Sequence, residues 1–269
     1  MIELTFWGVR GSNPVSGKDF EKLGGHTSCV SVSVNQDPII IFDAGSGLFD
    51  LGKELYASSP STVNLFISHL HLDHIMGLPF FPPLWDRKWI VNVYSQNHNL
   101  EDTLRNKLLC PPFFPIFVND KNSNLIVHDI VPDTELHIGA SKITTCLLNH
   151  PGGAIGYRLE AEGHSICYIT DVEHDSNGLD EGIIHFIKEC DLFIYDSSYT
   201  EEEYVSKHGW GHSTHIRGAE LAKAADVKKL ALFHQNPTHT DMISDRIEKE
   251  AQVLFPNTIA AYQGLKLRF

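Results

Sequence analysis

Ser68-His69-Leu70-His71-Leu72-Asp73-His74 follows the strand-like run Val63-Asn64-Leu65-Phe66-Ile67 and precedes Ile75-Met76-Gly77. Three imidazoles and a carboxylate so close to a buried strand are costly unless a strong partner meets them. Borderline divalent metals such as zinc take nitrogen and carboxylate ligands of this kind. His69 and His71 alternate in an extended segment, so their side chains face the same way. A turn after them can aim Asp73 and His74 at a neighbouring point, and one short motif can then serve two adjacent metals. A single His-x-His would read as a solvated loop; this fuller cluster behind an apolar strand does not.

The motif cannot close two coordination spheres by itself, so further ligands must come from elsewhere. Three metal-capable residues end apolar runs. His150 follows Ile143-Thr144-Thr145-Cys146-Leu147-Leu148-Asn149 and leads into Pro151-Gly152-Gly153. Asp171 follows Ser165-Ile166-Cys167-Tyr168-Ile169-Thr170, and His234 follows Leu230-Ala231-Leu232-Phe233. The C-terminal ends of strands are where sites of α/β proteins gather.

The rest of the chain is built of short β-rich runs and amphipathic stretches. Strands are expected at Glu3–Gly8, Val30–Val34, Ile39–Phe42, Leu65–Ser68 and Ile90–Tyr94. A second group is expected at Lys142–Leu148, Ile155–Glu160, Ser165–Thr170, Leu192–Tyr195, Leu230–Phe233 and Lys266–Phe269. Helices are expected at Gly47–Tyr56, Asn99–Leu109, Gly182–Glu189, Ile216–Ala225 and Ser244–Leu254, the last with Ile247, Ala251 and Leu254 on one face. Strands and helices interleave in two similar halves, which implies an α/β fold with helices packed outside paired sheets. Leu78–Trp89 and Cys110–Val118 break the pattern, because their prolines exclude regular central strands. This Pro/aromatic stretch reads as a packed surface loop, or as a lid or homodimer contact formed by Phe80, Phe81, Phe113 and Phe114.

Of the 269 residues, 42% are hydrophobic and 20% charged, a balance that excludes disorder. A formal net charge of −13 repels polyanions, and the only basic clusters noticed are the pairs Arg87-Lys88 and Lys228-Lys229. Long nucleic acid is therefore a disfavoured partner. Cys29, Cys110, Cys146, Cys167 and Cys190 are widely spaced with no CxxC pair, which reads as reduced thiols. The opening Met1–Gly11 carries Glu3 and lacks the apolar core of a signal peptide, and no apolar run reaches membrane-span length. A cytoplasmic protein without a membrane association is expected.

His69-Leu70-His71-Leu72-Asp73-His74, then His150, Asp171 and His234, resembles the motif set of the metallo-β-lactamase superfamily in order and spacing. The resemblance covers essentially the whole chain. It implies an αββα sandwich, two mixed sheets flanked by helices, as one domain over residues 1–269 with a Pro/aromatic-rich insertion around 78–123. It also implies two divalent ions, zinc first with manganese or iron as alternatives. His69, His71 and His150 would hold the first, Asp73, His74 and His234 the second, and Asp171 would bridge both. Asp43, in Ile39-Ile40-Ile41-Phe42-Asp43-Ala44-Gly45, matches the family's strand-end aspartate that orients a ligand imidazole, though Asp-Ala-Gly also reads as a simple turn.

Two later segments narrow the resemblance. Asp196 ends Leu192-Phe193-Ile194-Tyr195, and Gly209-Trp210-Gly211-His212-Ser213-Thr214 opens a helix. The pair is similar to the ribonuclease Z and cyclic phosphodiesterase branch, and the opening Phe6-Trp7-Gly8-Val9-Arg10-Gly11-Ser12 looks like a bacterial subgroup of it. One departure is His26, in Gly24-Gly25-His26-Thr27-Ser28-Cys29, where asparagine is expected. Ser213 or Thr214 can cap the helix, whose first amides favour an anion. His212 can give a proton to a leaving alkoxide, and Asp196 can orient it and raise its pKa. Asp73, His212 and Asp196 thus form the expected catalytic set.

The leading expectation is hydrolysis of a small nucleotide, cyclic ones included, or of another small phosphodiester. The alternatives are an ester, thioester or lactone hydrolase, a tRNA 3′-processing endonuclease-like enzyme, and a non-catalytic sensor of a phosphorylated ligand.

Overall fold

The structure is a computed structural model that describes residues 1–59, 61–96, 99–119, 121–133, 135–175 and 178–269. Its strands are β1 Ile2–Gly8, β2 Cys29–Val34, β3 Ile39–Phe42, β4 Thr62–Phe66, β5 Ile90–Ser95, β6 Leu125–Asp129 and β7 Glu135–Ile138. They continue with β8 Ser141–Leu148, β9 Ala154–Ala161, β10 His164–Ile169, β11 Leu192–Asp196, β12 Leu230–Phe233, β13 Thr258–Ala260 and β14 Lys266–Arg268. The α-helices are α1 Leu48–Tyr56, α2 Leu72–Ile75, α3 Leu100–Thr103, α4 Glu181–Ile187, α5 Glu201–Tyr204, α6 His215–Ala224 and α7 Asp241–Leu254.

The strands form two seven-stranded mixed sheets, ordered β14-β1-β2-β3-β4-β5-β6 and β13-β12-β11-β10-β9-β8-β7. In each, one half is antiparallel and the other parallel: β3, β4, β5 and β6 run together in the first, β10, β11, β12 and β13 in the second. The period-2 alternation of the strands assigns their side chains to layers. Ile2, Leu4 and Phe6 of β1 and Leu192 and Ile194 of β11 meet between the sheets. Val63 and Leu65 of β4 face α1 and the Pro-rich turns, while Phe193 and Tyr195 of β11 face α4 and α6. Both faces of the central strands are thus apolar, as parallel strands covered on both sides require. The result is the expected αββα sandwich.

Between the sheets the aromatic rings stack. Phe42 lies 5.3 Å from Tyr168 and 5.5 Å from Tyr157. Such contacts contribute about 0.5–1.5 kcal/mol beyond area burial. Both phenols find partners near the strand ends: Tyr157 donates to the Ile67 carbonyl at 2.7 Å and Tyr168 to Asp43 Oδ2 at 2.7 Å. These bonds tie the sheets together where the C-terminal ends of β3, β4, β10, β11 and β12 converge.

Several expectations are corrected. β6, β7 and β13 lie outside the sequence-derived set; the first two close one edge of each sheet and the third closes the other edge of the second. Asn99–Leu109 is one α-turn, α3, followed by a π-turn over Leu104–Leu108. The Pro/aromatic stretch contains two 3₁₀ turns, Leu78–Phe80 and Pro82–Trp85, and strand β5 runs between its two proline-rich parts. Residues 97, 98 and 120 of it lie outside the described ones. Phe81 belongs to the buried core rather than to a lid, whereas Phe80 and Phe113 are exposed. His26 is tied down by Asp50, 3.2 Å from Nε2, and by Ser46 Oγ, 3.0 Å from Nδ1.

Candidate metal centre

After β4 the chain bends at Ser68 and runs through His69 and Leu70 into α2. His71 takes the N-cap position, with Asp73 and His74 in the first turn of that helix. This places His69, His71, Asp73 and His74 around one point. The remaining residues arrive from the second sheet: His150 after β8, Asp171 after β10, Asp196 at the end of β11 and His234 after β12. Asp43, Asp171 and His234 have φ of 58°, 55° and 55°. A left-handed conformation at a non-glycine residue costs roughly 1 kcal/mol or more and clusters at functional sites. Here it bends the chain sharply at each strand end and turns the side chain into the cleft between the sheets.

Two groups of ligand atoms result. His74 Nε2 and His234 Nε2 stand 3.2 Å apart, and each lies 3.1–3.2 Å from Asp73 Oδ2 and from Asp171 Oδ2. Donors around a tetrahedral zinc ion, at 2.0–2.1 Å from it, are about 3.3 Å apart. With both rings neutral, the partners of the two Nδ1 atoms leave no proton for a hydrogen bond between the Nε2 atoms. His74 Nδ1 faces Asp43 Oδ2 at 2.7 Å and so carries the proton. Ser198 Oγ donates to the His234 carbonyl at 2.7 Å, so it accepts from His234 Nδ1 at 3.0 Å. Both Nε2 atoms therefore present lone pairs to each other and to two carboxylates, an arrangement that calls for a cation.

The second group is His69, His71, His150 and Asp171. His150 Nδ1 donates to the Gly211 carbonyl at 2.9 Å, which leaves Nε2 facing His71 Nδ1 at 3.2 Å. Ser68 Oγ donates to Asp43 Oδ2 and accepts from His69 Nδ1, so His69 Nε2 is a lone pair as well. That nitrogen is buried without a hydrogen-bond partner and lies 3.7 Å from Asp171 Oδ1. Asp171 thus turns one oxygen to each group.

The electrostatics agree with a cation site. Burial, reinforced by the neighbouring imidazoles, holds His69 well below its ordinary pKa, and burial also lowers His71 and His150. Burial opposes ionisation of Asp73 and Asp171, but the surrounding histidines outweigh it and keep both carboxyls below their usual range. Neutral imidazoles beside ionised carboxylates are the protonation states that metal ligation requires. Burial likewise opposes a charge on His74, yet Asp171, Asp43 and Asp73 outweigh it and push its pKa well up, because three carboxylates around one imidazole favour positive charge there.

Asp43 is a structural hub, fully buried. It accepts from the Ser68 amide at 2.7 Å, Ser68 Oγ at 2.9 Å, His74 Nδ1 and the Tyr168 hydroxyl. Asp43 thus meets the His74 ring as well as the backbone of the turn at Ser68. Ser12 was not foreseen: its amide donates to Asp73 Oδ2 at 2.7 Å. Gly11 beside it packs so closely that a Cβ would sit 2.3 Å from the His234 ring. Glu173 was missed as well. Its carboxylate accepts from the Gly209 and Gly211 amides at 2.7 and 2.8 Å and braces the loop before His212. Arg10-Gly11-Ser12 stands out in the sequence only by its resemblance, and Glu173 carries no sequence signal at all.

His212 Nδ1 is 2.9 Å from Asp196 Oδ2 and 3.7 Å from Asp171 Oδ1. Asp196, His212, Asp171 and His234 are close enough to form a third ligand group. Asp196, however, also accepts from the amides of Asp171, Ser198 and Ser213, at 3.1, 3.0 and 3.4 Å. With His212 that makes four donors for about four lone-pair sites, which leaves none for a metal. Burial works against a charge on His212, but Asp196, then Asp171 and Asp73, raise its pKa to about 9. Thr214 caps α6, accepting from the Arg217 amide at 3.1 Å. Ser213 does not cap: its hydroxyl meets Tyr195 at 2.8 Å and His174 at 2.7 Å. The anion met by the Ser213 amide just before the helix is Asp196 itself.

A family model described as the β-lactamase superfamily domain matches residues 39–235. Ribonuclease Z of Pyrococcus furiosus is 23% identical, over 89% of this chain and 88% of that protein. Among solved structures, the metallo-β-lactamase fold protein YhfI from Bacillus subtilis superposes with a TM-score of 0.76 at 20% identity, covering 100% of both chains. A diphosphatase from the PhnP family gives 0.72 at 16% identity, over 100% of this chain and 97% of that one. No helix among the described residues is long and apolar enough to cross a membrane. Paired sheets, converging strand-end ligands and the family match agree: the chain belongs to the β-lactamase superfamily and is a metal-dependent hydrolase.

Proposed function

We propose that the chain hydrolyses phosphodiesters with two divalent ions, and that its substrate is small, such as a cyclic nucleotide. His69, His71, His150 and Asp171 would hold one ion, and Asp73, His74, His234 and Asp171 the other. The donor chemistry suits zinc and accommodates manganese or iron. When bound, divalent ions neutralise phosphoryl charge and lower the pKa of water. The observation that carries the reading is the His212–Asp196 pair, which stands against the ligand cluster at 3.7 Å from Asp171 yet is not needed to complete either group. Its Nδ1 is engaged by Asp196, so Nε2 is free to carry a proton to a departing alkoxide. Acyl transfer to water at the same cluster, as in the ester, thioester and lactone readings, assigns this pair no task.

A second reading takes RNA as the phosphodiester, because the similarity to ribonuclease Z extends along most of the chain. The net charge of −13 favours the small substrate, since a polyanion would approach against it. The test is turnover by zinc- and manganese-loaded protein of cyclic mononucleotides, cyclic dinucleotides, a short RNA and a carboxyl thioester. Cleavage of the cyclic nucleotides alone supports the proposal, preference for the RNA selects the second reading, and turnover of the thioester alone overturns both.

A further inference from the structure

Trp210 is 58% exposed, two residues before His212, yet the loop that carries it is held rigidly. The Gly209 and Gly211 amides on either side of it both donate to Glu173. Gly209 and Gly211 each have φ of 84°, which presents the residue between them outward. The Gly211 carbonyl accepts from His150, so the loop is also fastened to the ligand cluster. A Cβ on Gly211 would lie 2.2 Å from the His150 ring, so no side chain other than hydrogen fits there. Lys207 sets its ammonium 3.9 Å from the centre of the indole and covers one of its faces.

This indole lines a cavity of about 360 Å³ together with His212, Tyr199, Lys207, Asn236 and Thr238. A distinct cavity of about 270 Å³ opens at His69 and His71 and shares no lining residue with it. The group that receives a proton from His212 must lie on the His212 side. A braced aromatic ring beside that position, in a cavity with amide and hydroxyl side chains, offers a flat apolar surface with polar groups around it. The Lys207 ammonium holds the ring from one side by a cation–π contact.

We propose that this cavity is the leaving-group subsite and takes a nucleoside, its base stacked on Trp210. The inference rests on the phosphodiesterase reading and names the chemistry of the departing alcohol. Sequence-tolerant stacking on an exposed aromatic is how bases are commonly held without base-specific hydrogen bonds.

The test compares metal-loaded wild type and Trp210→Ala on two substrates. One is adenylyl-(3′,5′)-adenosine, whose leaving group is an adenosine on either side of the phosphate. The other is the methyl ester of adenosine 3′-phosphate, followed by release of methanol. The ratio of kcat/KM for the dinucleotide over the methyl ester is expected to fall about 10- to 100-fold in Trp210→Ala and to be largely kept in Trp210→Phe. Free adenosine should quench the tryptophan fluorescence of the wild type and not that of Trp210→Phe. An unchanged ratio overturns the subsite while leaving the phosphodiesterase reading intact. If neither substrate is turned over, the adenosine titration alone decides whether Trp210 holds a base, no quenching overturning it, while turnover of the cyclic nucleotides separately decides the phosphodiesterase reading.

Discussion

The two sheets supply the ligand cluster in opposite ways. The first contributes His69, His71, Asp73 and His74 from one turn after β4, four residues within six positions. The second contributes His150, Asp171 and His234, and beside them Asp196, one at a time, each from the end of a different strand. The first set is assembled by local geometry, a bend at Ser68 running into a helical turn. The second is assembled by register: Ile169 pairs with Tyr195 and Asp196 with Phe233, so the strand ends line up and left-handed backbone at Asp171 and His234 turns them inward. A dispersed set depends on the whole sheet, and each member of it has a separate task. Substitutions in the second set should therefore give distinct effects, while the first set stands or falls with its shared brace, Asp43.

The largest effect is expected at Asp171, which faces both ligand groups. Asp171→Ala should lose tight binding of both ions together with turnover, as read by metal analysis after full reconstitution. If it keeps one tightly bound ion, the two groups are independent and the shared role of Asp171 is wrong. His212→Ala should instead retain the metals. Its turnover of phosphodiesters with alkoxide leaving groups should fall by about 10²–10⁴-fold, the usual worth of general acid catalysis. A nitrophenolate leaves without a proton, so that substrate should lose far less. Equal losses on both substrates would make His212 a phosphate-binding group.

Asp43 tests the first set. Asp43→Ala strands four donors in a fully buried place. Stability should drop by about 3–5 kcal/mol, and metal affinity by roughly 10- to 100-fold, as for other residues that orient ligands. Denaturant melts and competition with a chelator measure the two. A variant with wild-type affinity would mean that the turn after β4 holds its ligands without help. The smallest effect is a shift in pH dependence. His212 is raised to about 9 in the metal-free centre. The acid form exists below the pKa, so turnover of alkyl phosphodiesters should decline as pH rises through it. Bound cations offset Asp171 and Asp73, so this alkaline limb should lie below 9 in the loaded enzyme. Asp196→Asn removes the carboxylate that does most to raise His212, and should move the limb further down. An unmoved limb would detach the pH dependence from His212.

The strand-forming runs, their alternation and the His-rich turn are local properties, and the sequence by itself determined them. Apolar residues at period two must bury both faces of a central strand, and four ligands within six residues need no distant partner to be recognised. The αββα layering followed from those patterns and the resemblance they carry. Of the edge strands β14 was legible, but β6, β7 and β13 were not. In Glu135–Ile138 exposed and half-buried residues alternate, with no fully buried position, because an edge strand has a neighbour on one side only. Phe81 and Phe80 are adjacent and chemically identical, and only packing put one in the core and left the other exposed. The tertiary structure alone also decided the protonated nitrogen of each histidine, through partners such as Ser198, Gly211 and Asp43 far along the chain. It alone revealed the Ser12 amide on Asp73 and the Glu173 brace under Trp210. Backbone amides carry no residue-type signature, so contacts made through them become visible only when the chain has closed on itself.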